Sequence, residues 1–283
     1  MLAALVADYI RDRIDLSPDY CRLLVATVER FSRFLGRRAM VSDLTRATLQ
    51  GFLAATHGGF SPVTVNGWRR YLLCLAGYAV EFGRLPAMPF HVRRLREQDP
   101  LPEAWPFEEV CAIVAACPDV WWRSLVLSCF WTAARVGSLM AATPADFTGD
   151  GLRLRKQKNR RPEWFPLRAT CCDLIRQLPG RRARLWYWPM HRRTFFIHFR
   201  RIVESAGVPA PLTGRQLFHR LRRSTITLCD ALDPALAQRQ AGHASYATTK
   251  RFYVDRQLSR PVYAADVLAD PIETRPSLRL FVG

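Results

Sequence analysis

Lysine is scarce in this chain, although the chain is strongly basic. The chain has 42 lysines and arginines, of which only three are lysine. It has 24 acidic residues, so its formal net charge is +18 over 283 residues. Such a shortage of acidic groups predicts a polyanionic partner, with nucleic acid as the first candidate. The excess is concentrated in residues 151–200, which hold 14 basic residues against Glu163 and Asp173. A solvated charged face alone does not account for so large an imbalance.

Other features are missing as well, and each absence narrows the class of protein. The eight cysteines include no Cys-x-x-Cys pair and scatter through apolar segments, which predicts buried, reduced thiols. The six histidines form no metal-type spacing with them, so we expect no metal site and no cofactor. No apolar run has the length of a membrane span, and the start, MLAALVADYI, lacks the basic residues of a signal peptide. These absences predict a soluble, cytoplasmic protein with no membrane partner.

The length and the helical periodicity predict a mainly α (α+β) chain with two domains. Apolar stripes that follow Ser17-Pro18 and Ser61-Pro62 indicate an N-terminal helical bundle. A stretch with four prolines and the letters HVRRLREQD predicts an extended, solvated linker. The predicted boundaries are bundle 1–85, linker 86–104, larger helical domain 105–256, and a tail 257–283 that docks on this subunit or on a neighbour.

Residues 151–168 change from helical periodicity to an alternation of apolar and basic residues, which predicts a small antiparallel β-hairpin. Two of the three lysines, Lys156 and Lys158, lie at its turn. Lysine can lose a proton at reachable pH whereas arginine cannot. This placement therefore favours proton transfer by one of the two, with chance placement as the alternative.

The stretch that begins at His219 holds the side chains with the clearest chemical potential. His219 and Arg222 are three residues apart, so both leave the same face of one predicted helix. Asp233-Pro234 predicts the N-cap and first residue of a second helix, and Gly242 predicts its C-terminal end.

His243 follows that glycine directly, and Tyr253 lies ten residues further on. Two imidazoles, a guanidinium and a phenol suit attack on a phosphodiester, because arginine matches the charge of phosphate oxygens and histidine moves protons near neutral pH. Each residue alone is more often a helix-end histidine or a core aromatic. The joint pattern favours the chemical interpretation.

This pattern resembles the C-terminal signature of the tyrosine recombinases, the phage-integrase family. His-x-x-Arg, Gly-His, and a tyrosine after Thr248-Thr249 occur in the family's order. Upstream, the letters TAARVGSL at 132–139 are similar to the family motif Thr-Gly-Leu-Arg-x-x-Glu-Leu. The resemblance covers most of residues 104–256 and, more loosely, the N-terminal part, which it implies to be a core-binding (SAM-like) domain that clamps one side of the DNA.

The resemblance implies a site-specific recombinase or integrase that cleaves and rejoins DNA. In such an enzyme Arg135 and Arg222 would clamp the scissile phosphate. Lys158 would be the acid that protonates the departing 5′ oxygen, judged from its distance to Pro166. The implied chemistry uses neither ATP nor a metal.

The remaining implied roles belong to the C-terminal cluster. His219 would help as a general base, His243 would donate a hydrogen bond to the phosphate, and Tyr253 would form a 3′-phosphotyrosine. Two positions depart from the family pattern: Ser138 replaces a common glutamate, and Tyr253 follows His243 by ten residues instead of nine. We expect Tyr246 to pack at a helix start and Tyr263 to lie in the tail, so Tyr253 is the predicted nucleophile.

The predicted partners are double-stranded DNA with specific recombination sites and other protomers, in a tetramer on the DNA. The resemblance also implies a phage or another mobile element as the source of the protein. Seven arginines outside the catalytic cluster are predicted to contact DNA: Arg69, Arg70, Arg93, Arg94, Arg192, Arg193 and Arg200. Two further hypotheses stay open. One is a DNA-binding protein that kept the fold and lost strand exchange, and the other is a topoisomerase-like enzyme that cleaves and reseals one strand.

Overall fold

The structure is a computed structural model that describes residues 1–98, 101–155, 162–179, 183–210, 214–255 and 257–259, and only the backbone of 214–215. The chain divides into two compact units, Met1–Gln98 and Asp99–Gly283. The division falls inside the stretch that the sequence predicts as a linker.

The first unit is a helical bundle whose helices start where the sequence predicts. Ser17 and Ser61 each cap a helix, because their hydroxyls accept hydrogen bonds from the backbone N–H groups of Tyr20 and Thr64. The N-terminal helix packs on the second and fourth helices, and the third packs on the fourth. The helices are α1 (Leu2–Asp12), α2 (Pro18–Phe34), α3 (Arg46–His57) and α4 (Pro62–Glu81).

The segment after α4 differs from the prediction in one respect, because part of it is buried and not solvated. Val92 is only 3% exposed and belongs to the core of the first unit. The Asn66 side chain donates to the Leu95 carbonyl and accepts from the Leu95 N–H, at 2.9 Å each. The Arg93 N–H also donates to Gln50 Oε1 at 2.9 Å. These bonds satisfy backbone groups that a solvated linker would leave to water.

The second unit is mainly helical and carries one small sheet. Its helices are α5 (Phe107–Ala115), α6 (Val120–Thr132), α7 (Val136–Leu139), α8 (Ala169–Arg176), α9 (Arg192–Ser205), α10 (Gly214–Leu232), α11 (Pro234–Ala241) and α12 (Tyr246–Phe252). Helix α6 packs on α5, α8 and α10, and α10 also packs on α9 and α11. The predicted fold class, mainly α with a small antiparallel sheet, is confirmed.

The sheet is the predicted hairpin. Strands β1 (Gly151–Leu154) and β2 (Glu163–Pro166) pair antiparallel, with Gly151 opposite Pro166. Any side chain at Gly151 would collide with the ring of Trp164, so this position requires glycine. The turn with Lys156 and Lys158 lies outside the described residues.

An aromatic stack fixes the start of α10. The Phe218 ring lies 3.9 Å from the Phe199 ring, and Phe199 lies 6.0 Å from Trp122, between ring centroids. Phe199 is fully buried and Phe218 is 2% exposed. Because a helix turns ~100° per residue, burial of Phe218 directs His219 away from this core.

The eight cysteines are free; four agree with the prediction of buried thiols, and Cys21, Cys74 and Cys229 are only half-buried. Cys117, Cys129, Cys171 and Cys172 are buried. Cys111 is exposed, which corrects that prediction at this residue, because it lies on the outer side of the short helix α5. No helix in the described part of the chain has the length and hydropathy that a membrane span requires.

Candidate active site

The face of α10 that carries His219 and Arg222 forms one wall of a pocket of about 260 Å³. Two more arginines, Arg135 and Arg192, also line it, and the described lining includes no carboxylate. Apolar atoms complete the walls, at Val136, Gly137, Phe196 and Phe218. Helix α10 has 19 residues and ends at Leu232, directly before the predicted start of the next helix at Asp233-Pro234.

Arg222 is the most deeply buried charged residue of the pocket, with 2% exposure. One terminal nitrogen donates to the Ala133 carbonyl and the other to the Ala241 carbonyl at 2.7 Å. These two carbonyls belong to the ends of α6 and α11. The guanidinium therefore joins three helices, and these bonds hold it in one orientation.

The turn between α6 and α7 positions Arg135. Ala133 adopts a left-handed conformation with φ 47°, which ends α6 and reverses the chain. The Ala134 N–H donates to Thr132 Oγ1 at 3.1 Å, and this bond stabilises the turn. Arg135 is then the N-cap of α7, half-buried at the pocket wall, and Ser138 donates its N–H to the Arg135 carbonyl at 2.8 Å.

His219 lies among positive charges. Burial against the pocket wall lowers its pKa from 6.5, and Arg223, Arg222 and Arg135 lower it further. The residue keeps solvent access on its open side, since its surface is exposed. The imidazole is therefore neutral near pH 7 and can accept a proton.

The end of α11 presents His243 as the sequence predicts. Asp233 caps the helix, and Gly242 has the left-handed backbone that ends it, with φ 57° and ψ 46°. Gln238 Nε2 donates to the His243 carbonyl at 3.1 Å. His243 Nδ1 and Thr249 Oγ1 lie 3.0 Å apart and share a hydrogen bond. The ring is thereby held from both its backbone and its side chain.

Tyr253 lies at the C-terminal end of α12, and the structure brings it to this cluster. Its ring centre is 4.7 Å from that of His243 and 5.0 Å from Cζ of Arg222. Tyr253 is not among the described residues that line the pocket, so it joins the cluster through Arg222 and His243. The ten-residue spacing is compatible with this position, because α12 begins only at Tyr246.

Tyr246 is bound elsewhere. It is the first residue of α12, as predicted, and its hydroxyl donates to Asp230 Oδ1 at 2.7 Å. Burial and this carboxylate raise the pKa of Tyr246 to about 12. In contrast, no hydrogen bond joins the Tyr253 hydroxyl to another described residue. Tyr263 lies outside the described residues.

The arginines predicted to contact DNA occupy different environments. Arg69 is half-buried, and its Nε donates to the Val92 carbonyl at 2.8 Å. Arg94 pairs with Glu97 at 2.6 Å, and Arg200 lies 3.6 Å from Glu204. The exposed members of the set are Arg70, Arg93, Arg94, Arg192 and Arg193.

Sequence reasoning missed two features of the site. Arg223 influences the charge of His219, although the motif points only to its neighbour Arg222. Arg192 lines the pocket itself, whereas the sequence predicts only that it contacts DNA. The adjacent arginines were visible in the sequence, but which of them faces His219 depends on packing. Among the described residues no group of three potential metal ligands comes together.

The fold is similar to the folds of solved integrase structures, and this likeness confirms the predicted resemblance for the fold. The 75–356 fragment of lambda integrase, in a dimer bound to a COC′ core site, superimposes with a TM-score of 0.72 and 18% identity over 89% of this chain and 95% of that chain. A lambda integrase tetramer bound to a Holliday junction gives 0.72 and 19%, over 90% of this chain and 78% of that one.

Tn1549 transposon integrase, in complex with transposon right end DNA, gives a TM-score of 0.68 and 15% identity over 94% of this chain and 96% of that chain. No protein-family model and no curated protein matches the sequence.

Proposed function

We propose that this protein is a site-specific DNA recombinase that cleaves and rejoins DNA strands through a 3′-phosphotyrosine intermediate. The observation that carries this proposal is the convergence of Arg135, His219 and Arg222 on one pocket, with Tyr253 packed against the same Arg222. These residues come from three separate parts of the chain. The described lining of the pocket contains three guanidiniums, of Arg135, Arg192 and Arg222, and no carboxylate. Burying charges of one sign together costs stability, so a purely structural role does not explain this arrangement.

In the proposed reaction the phosphate occupies this pocket. Arg135 and Arg222 bind its non-bridging oxygens, which gain negative charge in the transition state. Hydrogen bonds to the Ala133 and Ala241 carbonyls hold the Arg222 guanidinium in place, so this side chain need not reorganise when negative charge develops on the phosphate.

The covalent step exchanges one phosphodiester for another. The Tyr253 oxygen forms a bond to phosphorus, and the bond from phosphorus to the 5′ oxygen breaks. Neutral His219 assists removal of the phenol proton, and Lys158 supplies a proton to the departing 5′ oxygen. Attack by a 5′-hydroxyl reverses the step. Bond energy is conserved, so the exchange requires neither ATP nor a metal.

The proposed partners follow from the charge and from the similar structures. Lambda integrase is bound as a dimer to a core site and as a tetramer to a Holliday junction. We infer that this chain also binds double-stranded DNA at specific recombination sites, in an assembly of several protomers. Its net charge of +18 supports a polyanionic partner.

A nicked suicide substrate tests the nucleophile. Tyr253→Phe should bind DNA normally and form no covalent adduct, because it lacks the attacking oxygen. Tyr246→Phe is the matched control and should still form the adduct, since the Tyr246 hydroxyl is bound to Asp230. Peptide mapping that places the phosphate on Tyr246 or Tyr263 would show the assignment to be wrong.

A substrate with two duplexes separates the proposal from its alternatives. Recombined products support a recombinase. DNA that is bound but never cut indicates a binding protein of the same fold. Relaxation of supercoils without exchange indicates a topoisomerase-like enzyme.

A further inference from the structure

The backbone on both sides of Val254 is attached to helix α10 by a single hydroxyl. Thr227 Oγ1 donates to the Tyr253 carbonyl at 3.3 Å and accepts from the Asp255 N–H at 3.0 Å. Thr227 is 1% exposed, so water does not compete for these bonds. Val254 itself is 2% exposed and packs with Ala133 and other small apolar side chains.

The Asp255 carboxylate extends this attachment to the segment that enters the second unit. Its Oδ2 accepts from the Ala104 N–H, and its Oδ1 from the Gln257 N–H, at 3.0 Å each. The next residue, Trp105, is fully buried and donates its N–H to Ser224 Oγ at 2.7 Å. Segment Glu103–Trp105 is therefore fixed on α10 through Ser224. The same segment also binds Asp255, which lies two residues after Tyr253.

Helix α12 cannot supply this rigidity alone. It has seven residues, and a helix of fewer than ~12 residues is marginal in isolation. Tyr253 follows its last residue as the C-cap and leaves helical geometry with φ −130°. The position of the phenol thus depends on what holds the backbone immediately after the helix.

We propose that Thr227 and Asp255 are positioning residues for Tyr253, which fix the nucleophile's backbone between α10 and the Ala104 N–H. This inference rests on the proposed function. In-line attack needs the reacting atoms ~3–3.5 Å apart, and a 1 Å displacement can cost on the order of 100-fold in rate. Neither residue touches the pocket, so both act through Tyr253.

Four variants test this inference in single-turnover adduct formation on a nicked duplex. Thr227→Val keeps the shape and loses the hydroxyl, and Asp255→Ala loses the carboxylate. Each should slow adduct formation by roughly 10- to 100-fold at saturating DNA, with an unchanged Kd for DNA. Thr227→Ser keeps the hydroxyl and should restore most of the rate. Asp255→Asn keeps one acceptor oxygen for the Ala104 N–H but loses the acceptor for the Gln257 N–H, so its rate should fall between those of wild type and Asp255→Ala.

Thr225→Val is the matched control for lost stability. Its hydroxyl is also buried on α10 but donates to the Phe130 carbonyl, away from Tyr253. It should lower the Tm and leave the rate at saturating DNA nearly unchanged at a temperature where the protein is folded.

Three results would overturn the inference. Wild-type rates in both Thr227→Val and Asp255→Ala would do so. A rate loss in Thr225→Val as large as in Thr227→Val would show that the effect is general destabilisation. A wild-type protein that binds DNA and forms no adduct would overturn the proposed function itself, and this inference with it.

Discussion

The charge of His219 is set by its neighbours, and this dependence has a measurable consequence. Burial, then Arg223, Arg222 and Arg135, hold its pKa below 6.5. A general base acts in its neutral form, so the rate of adduct formation should rise with pH through the lowered pKa and level off above it. The midpoint of this acid limb should lie below pH 6.5.

Arg223→Met should move that midpoint to higher pH. The substitution removes one positive charge near His219 without removing an arginine that lines the pocket. A pH–rate profile for both proteins measures the shift. His198→Gln is the control, because His198 makes an edge-to-face contact with Trp188, is not part of the pocket lining, and should leave the acid limb unchanged. A limb that stays in place in Arg223→Met would contradict the assignment of this titration to His219.

The same pKa predicts a change in stability with pH. The unfolded chain binds a proton at His219 more readily than the folded chain, since the folded pKa is depressed. The free energy of unfolding should therefore fall as pH drops from about 6.5 through the folded pKa. Urea titrations should show this component diminished in His219→Gln.

Lys158 lies outside the described residues, and its proposed role as the acid can be tested by chemistry. Lys158→Arg keeps the charge and raises the pKa out of range, so cleavage should slow greatly while DNA binding persists. A substrate with a bridging 5′-sulfur needs no proton on its leaving group and should restore cleavage. If Lys156→Arg behaves in this way and Lys158→Arg does not, the assignment within the hairpin is wrong.

At the scale of the helices, the Arg222 side chain links α10 to the ends of α6 and α11, so the packing of each helix contributes to the stability of the others. Its guanidinium reaches the Ala133 and Ala241 carbonyls together, which a single ammonium cannot match with the same planar geometry. Arg222→Lys should lower the free energy of unfolding by about 1–3 kcal/mol, since a buried carbonyl loses its donor. Urea unfolding measures this change.

The control for this prediction is Arg239→Lys on the exposed side of α11. The Arg239 side chain is 70% exposed, and its nearest approach to the Asp233 carboxylate is a long 3.9 Å, so the two form a weak surface pair. Its replacement should change stability by less than about 0.5 kcal/mol. Equal losses in both variants would show that Arg222 does not join the helices in the way that we describe.

For the whole molecule, the net charge of +18 predicts how DNA affinity responds to salt. Each contacted phosphate releases counterions, so log affinity should fall by about 0.9 per unit of log salt for each contact. Arg193→Gln should reduce this slope by about 1 if the exposed Arg193 contacts a phosphate. Binding measured from low to moderate salt gives the slope.

Arg37→Gln is the matched control. Arg37 is held by both carboxylate oxygens of Asp43, at 2.6 and 2.8 Å. A side chain that is already paired should contribute little to the slope. An affinity that hardly changes with salt would contradict the prediction of a phosphate-binding surface.

The local elements of this protein follow from the sequence alone. Ser17, Ser61 and Asp233 are followed by proline, and each caps a helix, while Gly242 ends one. The alternation on both sides of the lysine turn predicts the paired strands. These features could be predicted because caps, prolines and periodicity act between residues close in the chain. The ordered motifs also indicated the fold.

Which distant groups meet depends on how the helices pack. The sequence predicted a solvated linker, whereas Val92 is buried and Asn66 binds the backbone of Leu95. It could not show that Arg222 holds the end of α6, or that Thr227 holds the backbone beside Tyr253. Such contacts join residues far apart in sequence, and they form because buried backbone groups must find partners once the helices pack.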